Sequence, residues 1–392
     1  MRKLTVILTA AIIMIHSFQP DSAAAEGLFE QPELNSEAAV LIDARSGQIL
    51  YDKNSRMPMH PASITKIATA IYAIHTGELQ DVVTVSKKAT QAEGTSVFLE
   101  EGEQLPLKKL IQGLVINSGN DAGVAIAEHI SGSVEKFSEG MNEFFKREAG
   151  IQETFFENPH GLSSPNHLTS AHDMALITQY GIRDPEFLEI FGTPQLKWDG
   201  LTWDTTLINH HKLISQSPYE GILGGKNGYV SLAGFTLVTH AERDGLGLIA
   251  VTLKAPTDRQ SYQDTMKLLD YGFQFYETGL IKEGTTFHDD EGYAYRNDED
   301  IYYTKYKNEE TRQEAAGGEL VIKGENGRVL VSKALTSLSE ELPSEEELLT
   351  NGEAQGEKQK QLSDSHFQNV MGISFAIVIL LAGAFFFQIR KI

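Results

Sequence analysis

The sequence predicts a large domain of the α/β (α+β) class, and three stretches of the chain carry this prediction. Residues 39–51 contain two short apolar runs separated by a glycine turn, which is the pattern of two paired strands. Residues 63–75 place isoleucine and alanine at helical spacing, and Gly77 ends the run. Residues 235–253 contain two further strand-like runs around an Arg-Asp-Gly turn. These strand-like and helical runs together indicate one compact α/β domain.

Further helices fill the middle of this domain. Ser170 precedes a helical run and is followed three residues later by a carboxylate, which is the arrangement of a helix-capping box. A Ser-Gly-Asn break at residues 118–120 separates two other helical runs. The predicted helices are residues 107–115, 121–130 and 174–180, and a further predicted helix at residues 266–276 closes the domain.

Composition and pattern divide the chain into five segments. Asn326-Gly327 lies between two strand-like runs, which is a strong signal for a β-hairpin in a small second domain. The stretch that follows is polar and acidic, with consecutive glutamates at residues 345–347, and indicates a solvated linker. The predicted segments are a signal peptide at 1–25, the large α/β domain at 26–278, a small β-rich domain at 279–336, an acidic linker at 337–366 and a C-terminal transmembrane anchor at 367–392.

The two ends of the chain predict export and a membrane tether. Met1-Arg-Lys3 is a basic start, a short apolar run follows it, and Ala23-Ala-Ala25 offers a small-residue cleavage site. The alternative is an uncleaved N-terminal anchor, although the run is short for a span that needs about 20 apolar residues. Residues 370–387 are uncharged and precede Arg390 and Lys391, which favour the cytoplasmic side. We therefore expect the body of the protein at the outer face of the cytoplasmic membrane, anchored by the C-terminal segment.

Composition narrows the class of function. Of the 392 residues, 41% are hydrophobic, which suffices for a sizeable core, and the formal net charge is −21. This acidic balance argues against nucleic acid as a partner, because a phosphate backbone needs a basic face. The chain contains no cysteine. Disulfides, thiolate metal sites and a cysteine nucleophile are therefore excluded.

Ser63-Ile-Thr-Lys66 is the first candidate for catalysis. A serine hydroxyl is a poor nucleophile until a base takes its proton, and a spacing of three residues puts both side chains on one helix face. Apolar neighbours should lower the pKa of Lys66, so that it is neutral and can act as this base. The pattern alone is weak, since Ser133-Val-Glu-Lys136 repeats it. We interpret that copy as structural, because it opens an amphipathic helix.

Two other short motifs are candidates for the same site. Ser118-Gly-Asn120 interrupts two helices and could turn a hydroxyl and an amide into a cleft, or it could simply stop one helix and cap the next. Residues 224–228 read Gly-Gly-Lys-Asn-Gly, and glycines in a strand often mark the close approach of another backbone or a ligand. Lys226 could hold a carboxylate there, or it could be a solvated lysine in a glycine-rich hairpin.

The order of these motifs resembles that of the active-site serine penicillin-recognising enzymes, whose signature is Ser-x-x-Lys, Ser-x-Asn and Lys-Thr-Gly. The chain is also similar over a longer stretch to the low-molecular-mass penicillin-binding proteins, which are serine-type D-alanyl-D-alanine carboxypeptidases. The stretches that carry this similarity are Pro61-Ala-Ser-Ile-Thr-Lys66, Ser118-Gly-Asn-Asp-Ala122, Asn158-Pro-His-Gly-Leu162, Thr169-Ser-Ala171 with Asp173-Met-Ala175, and Leu269-Asp-Tyr-Gly-Phe273. The resemblance runs from about residue 39 to residue 278.

The resemblance implies a fold, a substrate and a chemistry. The fold is the penicillin-recognising serine-enzyme (β-lactamase/transpeptidase-like) fold, an antiparallel sheet with a helical cluster, followed by a small β-rich domain. The substrate is the D-Ala-D-Ala end of a peptidoglycan stem peptide, and β-lactams bind at the same site. Ser63 attacks the penultimate carbonyl with Lys66 as its base, and water completes the hydrolysis. No metal or cofactor is implied.

The resemblance also implies roles for the second and third motifs. Ser118 relays a proton to the leaving D-alanine, and Asn120 orients Lys66 and the substrate amide. Lys226 holds the terminal carboxylate. Backbone N–H groups of Ser63 and Tyr229 form the oxyanion hole.

The third motif departs from the family pattern, because Asn227 stands where the family has threonine and precedes the expected Gly228. An asparagine amide can donate a hydrogen bond to a carboxylate, but it is longer than threonine and also presents a carbonyl oxygen. A cell-wall-binding homologue with a weakened site is therefore one alternative to a carboxypeptidase. A β-lactamase-like hydrolase is the other alternative, because it uses the same three motifs.

Overall fold

The computed structural model describes residues 29–338. The predicted signal peptide, the predicted C-terminal anchor and nearly all of the predicted acidic linker lie outside the described residues. Within residues 29–338, no helix combines the length and the apolar character needed to cross a membrane.

The described chain alternates between strands and helices. The helices are α1 (Thr65–Thr76), α2 (Lys87–Thr90), α3 (Leu107–Ile116), α4 (Asn120–Ser131), α5 (Val134–Glu148), α6 (Ala171–Gly181), α7 (Pro185–Gly192), α8 (Lys212–Ser215) and α9 (Asp258–Phe275). The first ten strands are β1 (Ala38–Asp43), β2 (Ile49–Lys53), β3 (Val82–Thr84), β4 (Gln104–Pro106), β5 (Gln195–Asp199), β6 (Asp204–Ile208), β7 (Ile222–Val230), β8 (Gly234–Arg243), β9 (Leu246–Ala255) and β10 (Tyr276–Ile281). The remaining strands are β11 (Thr286–His288), β12 (Ala294–Arg296), β13 (Ile301–Tyr306), β14 (Arg312–Ala316), β15 (Glu319–Lys323), β16 (Val329–Ala334) and β17 (Thr336–Ser337).

The central sheet has five antiparallel strands in the order β2-β1-β9-β8-β7. Successive side chains of a strand point to opposite sides, and in this sheet both sides carry apolar side chains. In β1, Val40 and Ile42 belong to the larger core with the helices, whereas Ala39 and Leu41 pack with residues of α9 on the other face. The sheet is thus covered on both sides, and the β1–β9 pair joins the first strand of this sheet in the sequence to the last.

A cluster of helices surrounds α1 in the larger core. Eight of the residues of α1 are buried, and α1 packs against α3, α4, α5, α6 and α7. The helical starts follow from capping: Ser133 accepts a hydrogen bond from the backbone N–H of Lys136, and Ser170 accepts one from that of Asp173. Ser133 is therefore a cap, as the sequence predicted for the second Ser-x-x-Lys copy.

The strands that follow α9 form smaller sheets, in the orders β10-β13, β11-β12-β17 and β14-β15-β16. The described chain divides into two compact units. The first comprises residues 29–282, 299–314 and 321–333, and the second comprises 283–298, 315–320 and 334–338. Within the first unit, Asp43 accepts hydrogen bonds from the hydroxyls of Thr278 and Thr304, which fixes the start of β10 and the middle of β13.

Some elements differ from the prediction. Helix α9 begins at Asp258 instead of residue 266, because Thr257 caps it by accepting a hydrogen bond from Gln260 N. The glycine-rich stretch around Lys226 is the edge strand β7 and not a hairpin of its own. The β5–β6 hairpin and α7 carry no strong periodic signal and were not predicted. Turn signals in the sequence are not sufficient to predict these elements, because their packing against the core decides their structure.

Candidate active site

Ser63 lies in a 3-10 turn, Ala62–Ile64, that leads directly into α1. This differs slightly from the predicted position in the first turn of the α-helix. The preceding residue, Ala62, has a φ of 51°, a left-handed conformation that costs free energy for a residue with a Cβ. Lys66 is in the first turn of α1, and its Nζ lies 2.9 Å from Ser63 Oγ. The structure therefore brings the predicted nucleophile and base into direct hydrogen-bond contact.

The surroundings of Lys66 favour the neutral amine. Its side chain is fully buried, and its pKa lies well below the ordinary value of 10.5 because burial penalises the ammonium and because Lys226 adds a second positive charge nearby. Asp121 acts in the opposite direction, but more weakly. Lys66 Nζ also donates to the backbone oxygen of His160, over 2.8 Å. This second contact holds the amine at the serine.

The second motif forms the junction between α3 and α4. Ser118 is buried, and its φ of 62° means that a non-glycine residue again adopts the left-handed backbone conformation. Such backbone strain is frequent at functional sites. Asn120 begins α4 and donates from Nδ2 to the backbone oxygen of Glu93 over 2.6 Å. Its Oδ1 is buried and has no hydrogen-bond partner among residues 29–338. A buried amide oxygen without a partner is ready to accept a hydrogen bond from a ligand.

Asp121 fixes the loop that faces this junction. Its carboxylate accepts hydrogen bonds from the backbone N–H groups of Val97 and Leu99 and from the hydroxyl of Ser96. Buried carboxylates are stable only with such partners. The loop of residues 96–99 is thereby tied to the start of α4, next to Asn120.

The third motif lies on β7. Lys226 is 1% exposed, and burial lowers its pKa to about 7. Its Nζ donates to the backbone oxygen of Asn227 over 2.8 Å and approaches Asn227 Oδ1 at 3.4 Å. The asparagine amide oxygen therefore faces the ammonium, where a threonine would present a hydroxyl. Tyr229 is 57% exposed, so its side chain points away from the sheet core.

Gly228 allows β7 to pass beside the nucleophile. A Cβ at this position would lie 2.6 Å from the backbone nitrogen of Ser63 and 2.7 Å from Thr236 Oγ1, closer than side-chain atoms pack. Thr236 itself donates to the backbone oxygen of Pro61 over 2.8 Å. The glycine is thus required by the close approach of two backbones, which joins the first and third motifs at Ser63.

This arrangement has counterparts among known proteins. Residues 26–257 match the Peptidase S11 family, described as D-alanyl-D-alanine carboxypeptidase. The chain belongs to this family. It is 37% identical over 277 residues to the D-alanyl-D-alanine carboxypeptidase DacF of Bacillus subtilis, which covers 68% of this chain and 70% of that protein. It is 35% identical over 294 residues to DacC of Escherichia coli, covering 71% and 72% of the two chains.

Solved structures agree with this membership. Penicillin-binding protein 5 from Haemophilus influenzae superposes with a TM-score of 0.72 at 28% identity, over 80% of this chain and 99% of that one. Penicillin-binding protein 6B from Escherichia coli gives a TM-score of 0.67 at 28% identity, over 79% and 97% of the chains. The predicted fold class and the predicted family are confirmed. The chain is a serine-type carboxypeptidase of the D-alanyl-D-alanine carboxypeptidase family, and hence a hydrolase.

The structure adds residues to this carboxypeptidase's site that the sequence did not single out. His160 supplies the carbonyl that holds Lys66, and Thr236 holds the chain before Ser63. His167 contacts the hydroxyl of Thr65, directly beside the predicted base Lys66. The stretch Asn158-Pro-His-Gly-Leu162 was noticed only as part of the family resemblance. No local pattern predicts contacts to α1 that come from such distant parts of the chain.

Proposed function

We propose that this carboxypeptidase removes the terminal D-alanine from peptidoglycan stem peptides through an acyl-enzyme on Ser63. One observation carries the proposal: Lys66 Nζ lies 2.9 Å from Ser63 Oγ, at a fully buried position where the pKa of the lysine is strongly lowered. An amine that is neutral at working pH and hydrogen-bonded to a hydroxyl is the base that a serine nucleophile needs.

The reaction has two halves. Lys66 takes the proton from Ser63 Oγ as this oxygen bonds to the carbonyl carbon of the penultimate D-alanine, and the carbonyl oxygen becomes an oxyanion. Backbone N–H groups of Ser63 and Tyr229 would stabilise that charge. When the oxyanion collapses, the C–N bond breaks and the leaving nitrogen of D-alanine receives a proton through Ser118. Water then attacks the ester, which releases the shortened peptide and returns the proton to the serine.

Substrate binding would use the remaining motif residues. Lys226 in its charged form pairs with the terminal carboxylate, beside Asn227 and Gly228. A carboxylate would replace the contact of the Lys226 ammonium with Asn227 and raise the pKa of the lysine, since an opposite charge favours the protonated form. Asn120 Oδ1, which has no hydrogen-bond partner in the described part of the chain, is available to a substrate N–H group. β-Lactams would enter the same site and acylate the same serine.

The location of this activity is also a proposal. The apolar stretch near the N-terminus with Ala23-Ala-Ala25, and the uncharged run at 370–387 with its basic end, support an exported enzyme held at the outer face of the cytoplasmic membrane. Peptidoglycan stem peptides lie on that side of the membrane. The tether would keep the catalytic domain close to its polymeric substrate.

The experiment is labelling with a fluorescent penicillin, combined with D-alanine release from a diacetylated tripeptide that ends in D-Ala-D-Ala. We expect covalent labelling and turnover by the wild-type protein, and neither by Ser63→Ala. Ser133→Ala is the matched control, because it removes a serine from the other Ser-x-x-Lys sequence, where the hydroxyl caps a helix. Label that remains on Ser63→Ala would refute the assignment of the nucleophile.

Asn227 supports one alternative, a homologue that binds the cell wall with a weakened site. Its amide oxygen lies 3.4 Å from Lys226 Nζ and competes with an incoming carboxylate. Such a protein would bind D-Ala-D-Ala peptides without releasing D-alanine. A β-lactamase, in contrast, would turn over penicillin rapidly and leave little stable label, so the same two assays separate all three functions.

A further inference from the structure

The backbone immediately before the nucleophile is held in an unfavourable conformation. Ala62 has a φ of 51°, although it carries a Cβ and glycine would adopt this conformation more easily. Such a conformation persists only where the surrounding structure fixes it. The orientation of the Ala62 carbonyl group is therefore important, because it determines the position of the next residue, Ser63.

A chain of side-chain hydrogen bonds ends on that carbonyl. Thr65 Oγ1 donates to the backbone oxygen of Ala62 over 2.9 Å. The same Thr65 oxygen lies 2.9 Å from Nε2 of His167, which is distant in sequence. The other ring nitrogen of His167 accepts a hydrogen bond from the backbone N–H of Glu157, also over 2.9 Å.

These contacts determine which group donates and which accepts in each of the three hydrogen bonds. Because Nδ1 of His167 accepts from a backbone N–H, the neutral ring carries its proton on Nε2. Nε2–H therefore donates to Thr65 Oγ1, and the threonine hydroxyl is left to donate to Ala62. Each group has one role, and none can reverse without leaving a buried donor or acceptor unpaired.

The surroundings keep His167 in this state. The ring is fully buried, and burial lowers its pKa to about 4, with Glu157 opposing this shift and His60 adding to it. At neutral pH the ring is therefore uncharged and keeps its proton on Nε2, as this series of hydrogen bonds requires.

The same segment of the chain also holds the catalytic base. The backbone oxygen of His160 accepts from Lys66 Nζ, and that of Pro159 accepts from Thr69 Oγ1 over 2.6 Å. Gly161 packs so closely that a Cβ there would lie 1.9 Å from the backbone oxygen of Ala62. Residues 157–167 thus contact both Ala62, which precedes Ser63, and Lys66.

We propose that His167 and Thr65 are positioning residues for acylation. Their hydrogen bonds hold Ala62 in its left-handed backbone conformation and thereby orient Ser63 Oγ towards the substrate. Residues 157–167 hold Lys66 at the same time, through the backbone oxygen of His160. The inference rests on the proposed acyl-enzyme function. Both side chains act through the backbone oxygen of Ala62, so the effect is on the geometry of the nucleophile. A small misplacement of a nucleophile is sufficient to slow acylation strongly.

The test uses the full-length protein and compares Thr65→Val, which keeps the shape and removes the hydroxyl, with Thr65→Ser, which restores it. We expect Thr65→Val to lower the maximal rate of penicillin acylation by about 10–100-fold. The penicillin concentration that gives the half-maximal rate should change little, because the Lys226 end of the site is untouched. Thr65→Ser should acylate close to the wild-type rate.

Two measurements separate positioning from loss of folding. The final labelled fraction should reach that of wild type in Thr65→Val, since a folded but misaimed enzyme labels slowly and completely. Thr76→Val is the matched control: this threonine lies on the same helix, and its hydroxyl donates to the backbone oxygen of Tyr72. It should leave the acylation rate unchanged.

His167→Phe provides the second arm, alone and combined with Thr65→Val. If the two residues act as one unit, the double variant is no slower than the slower single variant. Wild-type acylation rates in Thr65→Val, or no recovery in Thr65→Ser, would overturn the inference while leaving the proposed function intact. Absence of labelling on Ser63 in the wild-type protein would overturn both.

Discussion

Replacing Lys226 by methionine should make the protein more stable while it removes carboxylate recognition. Lys226 is 1% exposed, and burial alone lowers its pKa to about 7 from the ordinary value of 10.5. A group whose pKa is lowered in the folded state is charged more readily in the unfolded chain, so its burial opposes folding. Methionine has a similar length and carries no charge.

The size of the effect follows from the pKa. A fall from 10.5 to about 7 corresponds to roughly 4–5 kcal/mol, since each pKa unit is ~1.36 kcal/mol. Methionine also removes the donor to the backbone oxygen of Asn227, and an unpaired buried acceptor costs about 1–3 kcal/mol. We therefore expect a net gain of about 2 kcal/mol near pH 7, which raises Tm by about 4–8 °C.

The gain should depend on pH in a defined direction. Between pH 7 and 10.5 the unfolded chain binds a proton at this lysine that the folded protein does not. Wild-type stability therefore rises with pH across this window. Because methionine does not titrate, the advantage of Lys226→Met is complete below about pH 7 and shrinks as the pH rises. Near pH 10.5 only the cost of the lost hydrogen bond remains, so the variant is then less stable than wild type.

Thermal and urea unfolding across this pH range measure the effect, and D-alanine release measures the loss of function. Lys197→Met is the control, because Lys197 is exposed on β5 and its replacement relieves no burial. A variant that is less stable than wild type at neutral pH would refute the reasoning. So would a gain that is the same at every pH, since burial of the charge would then not be its cause.

Three further predictions follow from the site and the chain ends. Asn227→Thr should raise kcat/KM for D-alanine release by about tenfold, equivalent to ~1.4 kcal/mol, because the asparagine oxygen no longer faces Lys226; a lower kcat/KM would mean that asparagine is the adapted residue. Gly228→Ala should slow penicillin acylation by about 100-fold or more, because its Cβ would meet the backbone nitrogen of Ser63, and an unchanged rate would contradict the close approach of β7. A chain that ends at Ser365 should be released into the medium as an active protein, whereas recovery in the membrane fraction would place the anchor at the N-terminus.

The sequence by itself determined the family and the order of the catalytic motifs. Ser63, Ser118 and Lys226 are local signals, since each has neighbours that can be read without knowing the fold. Strand runs and helix caps such as Ser170 were also predicted, because alternation and capping depend on residues a few positions apart. The start of α9 was missed, although its cap is local, because apolar spacing becomes clear only later in that helix.

The sequence already favoured a structural role for the second Ser-x-x-Lys copy, but only the tertiary structure showed what surrounds each serine. Ser133 uses its hydroxyl to cap α5, whereas Ser63 stands beside a buried lysine. The burial of Lys66 and Lys226, which lowers both pKa values, depends on helices and strands that are far apart in sequence. Spacing along the sequence indicates which side chains lie on the same face of a helix, but not which other elements cover that face.

The same reason explains why the role of His167, and the backbone that Gly228 approaches, became visible only in the fold. Gly228 is required because pairing of β7 with β8 brings its backbone against Ser63, and His167 matters because its ring reaches Thr65 across the core. Both contacts join segments about 100 residues apart or more. Long-range pairing is decided by the packing of the whole domain around α1, and that packing sets the conformation of Ala62, the residue that aims the nucleophile.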